Sequence, residues 1–73
     1  MKKDKQYEAY NADNIAVGYF LDNRFYEYRT STCIGFLNDR NELIDTDEKL
    51  GYLEQNILTM RDGTKLDIKE KNE

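Results

Sequence analysis

Seventy-three residues allow one domain, near the lower limit at which a chain without disulfides or metal folds alone, and leave little room for an enclosed active site. Histidine, tryptophan and proline are absent and cysteine occurs once, which excludes imidazole-based catalysis, the commonest metal ligand and any internal disulfide framework. Fifteen acidic residues against eleven basic ones give a net charge of −4, so the surface as a whole repels a phosphate backbone.

Residues 1–13 are polar apart from Tyr7 and Tyr10, whose i, i+3 spacing suits either one helical turn laid on a sheet or a frayed tail. No apolar run reaches the roughly 18 residues of a membrane helix, and Met1 to Asn14 has basic residues without the apolar stretch of a secretory signal. With the lone Cys33 this favours a reducing, cytoplasmic setting.

From Ile15 the pattern changes to period two, placing Ile15, Val17, Tyr19 and Leu21 on one face of a strand. Asp22-Asn23 tolerates positive φ at both positions and predicts a two-residue hairpin turn. The register then pairs Phe20 with Phe25, Tyr19 with Tyr26 and Val17 with Tyr28, aromatic against aromatic or aliphatic.

The phrase Val17-Gly18-Tyr19-Phe20-Leu21 returns as Ile34-Gly35-Phe36-Leu37-Asn38 and as Leu50-Gly51-Tyr52-Leu53-Glu54. Each copy is followed by a polar turn (Asp22-Asn23, Asn38 to Asn41, Glu54 to Asn56) and a second strand-like run. The predicted architecture is all-β: an antiparallel meander of three β-hairpin units at residues 17–33, 34–49 and 50–65, plus a short final strand, within a single domain of residues 14–68. One hairpin cannot bury its apolar face alone, whereas paired neighbours can. The repeated glycine suits a point where a ring crosses the backbone or the strand bends. Arg61-Asp62-Gly63 predicts a three-residue loop with Gly in the left-handed position, pairing Met60 with Thr64 and Leu58 with Leu66. Residues 69–73 are a polar tail, and the six Tyr and three Phe are expected to supply most of the core volume.

A competing α+β reading puts a short helix near residues 46–56, capped by Asp45 with Glu48 three residues on, and with Leu50, Leu53 and Ile57 at helical spacing. Gly51 would cost that helix roughly 1 kcal/mol. If Gly18, Gly35 and Gly51 instead sit at equivalent positions in three strands, the repeat is real.

No constellation carries chemistry. Cys33 has no basic partner, the four glycines are too dispersed for a phosphate loop, and a calcium loop starting at Asp39 fails at Leu43, Ile44 and Leu50. No catalytic residue, cofactor or metal is expected, and the protein is read as a non-enzyme. The aromatics could stack single-stranded nucleic acid, but the arginines lie scattered among more numerous acids rather than in a basic groove. The favoured expectation is a small protein-binding module, an inhibitor, adaptor or assembly subunit, whose partner is another copy or a different protein, engaged through an exposed aromatic face and open strand edges at Ile15 and at Leu66 to Ile68. Candidate contact residues are Tyr26, Tyr28, Arg29, Asp39, Glu42, Asp45, Asp47 and Glu48. The composition, rich in Lys, Asn and Glu, suits a low-GC bacterium or its phage. A phage inhibitor whose acidic stretch from Asp39 to Glu48 imitates nucleic acid is therefore a second expectation: five of those ten residues are acidic and one is basic.

Overall fold

A computed structural model describes residues 4–71 and shows an all-β chain whose eight antiparallel strands close into a small barrel. The strands are β1 (Gln6–Tyr10), β2 (Ala16–Leu21), β3 (Arg24–Glu27), β4 (Thr32–Leu37), β5 (Glu42–Asp45), β6 (Glu48–Glu54), β7 (Ile57–Met60) and β8 (Lys65–Glu70). Each pairs with its neighbours in sequence, and β1 closes the ring against β8.

The three hairpins fall where the repeat predicts them. Phe20 pairs with Phe25 and Tyr19 with Tyr26 across Asp22-Asn23, whose φ values of 52° and 63° are those of a type I′ turn. Gln55 and Asn56, at 52° and 64°, make the same turn between β6 and β7. Between β7 and β8, Gly63 takes φ 92°, the Met60 N–H donates to the Thr64 carbonyl, and Leu58 pairs with Leu66.

Gly18, Gly35 and Gly51 are equivalent. Each is buried, and each follows a residue that the preceding strand's register skips: Ala9 and Tyr10 pair with Gly18 and Ala16, Phe25 and Tyr26 with Gly35 and Cys33, Leu43 and Ile44 with Gly51 and Lys49. Val17, Ile34 and Leu50 are thus the extra residues of three β-bulges, the device that bends a strand and tightens its twist. The missing side chain admits a carbonyl of the hairpin's second strand. A Cβ on Gly18 would lie 2.6 Å from the Tyr26 oxygen and 2.7 Å from the Phe25 ring, and one on Gly35 would lie 2.9 Å from the Ile44 oxygen. On Gly51 it would run into the Thr59 carbonyl.

The interior is lined by alternate residues: Ala9, Phe20, Phe25, Leu37, Leu43, Leu58, Leu66 and Ile68 are buried, with Tyr7, Leu53 and Met60 packed against them. The expectation that aromatics fill the core is corrected. Only Phe20 and Phe25 among the rings belong to the buried set, because Tyr19, Tyr26, Phe36 and Tyr52 stand at outward positions of the alternation, where a phenol keeps its hydroxyl near water.

Four further expectations are corrected. The helix near residues 46–56 is strand β6, because pairing with β5 on one side and β7 on the other satisfies its backbone more fully than a lone turn of helix would, and the close approach at Gly51 needs a strand. Residues 6–10 of the segment read as a frayed tail or helical turn form β1, held by ladders to β2 and β8 and by the fully buried Ala9. Lys69 and Glu70, assigned to the tail, belong to β8, and the Lys71 N–H donates to the Gln6 carbonyl; the rest of that tail (72–73), like residues 1–3, lies outside the described residues. Closure also removes the proposed open edges: β8, which holds Leu66 to Ile68, is paired with β7 on one side and β1 on the other, and Ile15 sits in the β1–β2 loop.

The truncated fourth unit is completed by the N-terminal strand, so β8–β1 stands as a fourth hairpin without a connecting turn. Its small and large residues are exchanged. Phe25, Leu43 and Leu58 pair with Gly35, Gly51 and Leu66 of the next unit and Ala9 pairs with Gly18, so Leu66 holds the glycine position and Ala9 the position of the three large residues. It also has no register shift between β7 and β8.

Replacing glycine at 18 or 51 by alanine should lower unfolding free energy by about 2 kcal/mol or more, since the clash is with backbone, whereas Gly63→Ala, with open space but φ 92°, should cost about 1 kcal/mol. Chemical denaturation of the three variants checks the order. Gln55→Asn should raise stability by about 0.5 kcal/mol, because asparagine tolerates the left-handed region better than glutamine.

Candidate protein-contact face

Closure sends every second side chain of β1–β5 outward, and the register lines these up in rows. One row runs Lys69, Glu8, Tyr19, Tyr26, Cys33; the next runs Gln6, Leu21, Arg24, Phe36, Ile44, Lys49. On this side Leu21 and Phe36 are 40% and 47% exposed, large fractions for apolar groups on a folded domain. The outward row of β6–β8 reads Tyr52, Thr59, Lys65, with Glu54, Ile57 and Asp67 beyond it, so its exposed apolar residues, Tyr52 and Ile57, stand among polar neighbours.

The tyrosines on the first row hold one another. Tyr19 and Tyr26 stack with centroids 5.0 Å apart and planes 15° from parallel, and Tyr28 tilts against Tyr19 at 5.1 Å. The Tyr28 hydroxyl lies 2.8 and 2.7 Å from the two oxygens of Glu8 and donates its one proton between them. Glu8 is only 8% exposed, and the Lys71 ammonium at 3.8 Å supplies the opposite charge. Partial burial, and then the Glu8 carboxylate, push the Tyr28 phenol up to about 12. A charged tyrosinate beside a carboxylate would be repelled, so the neutral phenol persists well above its ordinary range.

The predicted contact residues do not form one patch. Tyr26 and Tyr28 belong to the aromatic cluster, and Arg29 is exposed in the loop directly after Tyr28. The acidic stretch is divided by β5. Asp39 lies in the turn before that strand and Asp47 in the turn after it, at the other end of the barrel, with Asp45 and Glu48 flanking that turn. Glu42 is half-buried: it accepts from the Asn38 amide at 3.1 Å and pairs with Lys49 at 3.1 Å, and these two partners hold its carboxyl below the usual range. Lys49 also sits 5.6 Å over the Tyr52 ring. Glu48 pairs with Arg61. Asp39 and Asp47 thus stand at opposite ends of β5, and Glu42 and Glu48 are each paired with a cation.

Leu21, Arg24, Phe36, Ile44 and Glu8 were not singled out by the sequence. The first two were within reach, since the Asp22-Asn23 turn pairs Leu21 with Arg24. Phe36 and Ile44 join them only through the bulge at Ile34, which shifts β4 by one residue. Between these rows runs a shallow open groove lined by Asp22, Arg24, Cys33, Phe36 and Asp45. No group of three or more metal-binding side chains occurs among the described residues. The chain matches no family model, no curated protein and no solved structure, so the functional reading rests on this geometry.

Tyr28→Phe should cost about 1.5–3 kcal/mol by leaving the buried Glu8 carboxylate short of its hydroxyl donor. The folded phenol lies above its unfolded value of 10.0, so the stability it contributes is full below about pH 10 and is lost as pH rises through about 12. Tyrosinate absorbance should show one late-titrating tyrosine in the folded protein, missing in Tyr28→Phe.

Proposed function

We propose that this protein is a non-enzymatic protein-binding module, an inhibitor, adaptor or assembly subunit, acting through the outer face of β2–β5. The observation that supports it most is that Leu21, Tyr26, Phe36 and Ile44 lie on adjacent strands with Tyr28 directly after β3, whereas the exposed apolar residues of β6–β7, Tyr52 and Ile57, have Thr59, Glu54 and Asp67 as cross-strand neighbours. Aromatic and arginine side chains are the residues that carry contact energy at protein interfaces, and Arg24 stands between Leu21 and Phe36. The barrel closes every strand edge, so association works through side chains rather than by strand addition.

The stacked tyrosines add a second property useful for binding. Their ring positions are fixed by one another and by Glu8, so little side-chain freedom is lost when a partner covers them.

A photo-crosslinking residue at position 36 should form a covalent adduct with a protein, whereas the same residue at position 67, outward on β8, should not. Adding Leu21→Glu should cut the yield from position 36 by about tenfold or more, as expected for loss of an interface anchor. Equal adducts from both positions, or none from either, would remove this reading.

A further inference from the structure

The groove that holds Phe36 also holds opposite charges that leave each other unpaired. Arg24 shares it with Asp22 and Asp45, yet among the described residues none of the three makes an ion pair, whereas Arg61 engages Glu48, Lys49 engages Glu42 and Lys71 engages Glu8. All three are exposed. A free cation and free anions around the Phe36 ring in one groove form a self-complementary pattern. It is the pattern a two-fold interface requires, because the same patch must supply both partners of every contact.

We infer that the occupant of this face is a second copy of the chain, related by a two-fold axis passing close to Phe36, with Arg24 of each copy meeting Asp45 of the other. The inference rests on the reading of this face as a protein-contact surface and names its partner. Phe36 packs against its symmetry mate, Leu21 and Ile44 on either side of the axis add apolar surface against the partner's facing strands, and the two Arg24–Asp45 pairs fix the register. The area suffices: a standard interface takes about 800 Å² from each partner, roughly one-seventh of this chain's 5364 Å² surface, and four of the eight strands face it. Elsewhere two copies repel, since each carries a net charge of −4, and Arg24 is the one arginine set in the apolar row.

The charge pairing makes a swap test available on the full-length chain. In sedimentation equilibrium from about 1 µM to about 500 µM, the wild type should move from monomer to dimer. Arg24→Asp alone sets Asp against Asp45, and Asp45→Lys alone sets Lys against Arg24, so each should weaken self-association by about tenfold or more. An equimolar mixture of the two variants restores both pairs and should form a heterodimer within about threefold of the wild-type affinity. Circular dichroism checks that each variant keeps the barrel. A wild type that stays monomeric over the whole range overturns the inference, as does a dimer indifferent to both substitutions and to mixing. If the protein is monomeric while position 36 still cross-links to a different protein, the second-copy inference falls and the wider reading stands; if both experiments fail, both fall.

Discussion

A backbone carbonyl occupies the place where a side chain would begin on each of Gly18, Gly35 and Gly51. The barrel depends on that close approach. Eight strands of four to seven residues must complete a full turn, and a chain this short reaches closure only if the sheet curls tightly. The bulge before each glycine supplies the bend, and the glycine lets the neighbouring strand follow it. Alanine at these sites would push Tyr26, Ile44 or Thr59 outward and open the curl at three places around the wall. At the fourth, Leu66 stands in the glycine position and the small residue is instead Ala9, in the position that Phe25, Leu43 and Leu58 hold elsewhere.

The repeat was legible because its phrase has a physical cause. Aliphatic-Gly-aromatic encodes an extra residue, a close approach and an outward ring, so three copies predict three equivalent strands, and the Asp22-Asn23 turn fixes the first hairpin's register correctly. Closure was not legible. Whether Gln6-Tyr7-Glu8-Ala9-Tyr10 pairs with Lys65 to Glu70 depends on a contact spanning most of the chain, and neither strand's own pattern specifies it. The segment's polarity suggested a tail, yet Glu8 is polar because it faces the tyrosines and not because it faces water. The competing helix shows the converse. Its capping box and spacing were genuine local signals, and pairing on both sides of β6 outweighed them.

The face proposed for binding was half legible for a similar reason. Tyr26 and Tyr28 follow from alternation past a well-marked turn. Phe36 and Ile44 depend on a bulge, which shifts every later side chain of the strand to the other face and is invisible to a strict period of two. The acidic stretch is continuous in sequence, while β5 places Asp39 and Asp47 in turns at its two ends. Linear charge runs become patches only where the chain stays on one side of the fold.

The aromatic cluster and the closing strand are mechanically the same element. Glu8 projects from β1 and is held by Tyr28, which follows β3, and by Lys71, which follows β8, so one carboxylate ties the seam of the barrel to the face proposed for binding. Opening the seam would withdraw Glu8, leave Tyr28 without its acceptor and loosen the stack on Tyr19. A partner that packs on Tyr28 and Tyr26 binds the closed form alone, and so raises the free energy needed to open β1 from β8 by an amount that grows with the logarithm of its concentration over its Kd. In a domain this small, where the margin of stability is a few kcal/mol, occupation of the face and closure of the barrel are then coupled equilibria: the folded wall presents the aromatics, and whatever covers them holds the wall shut.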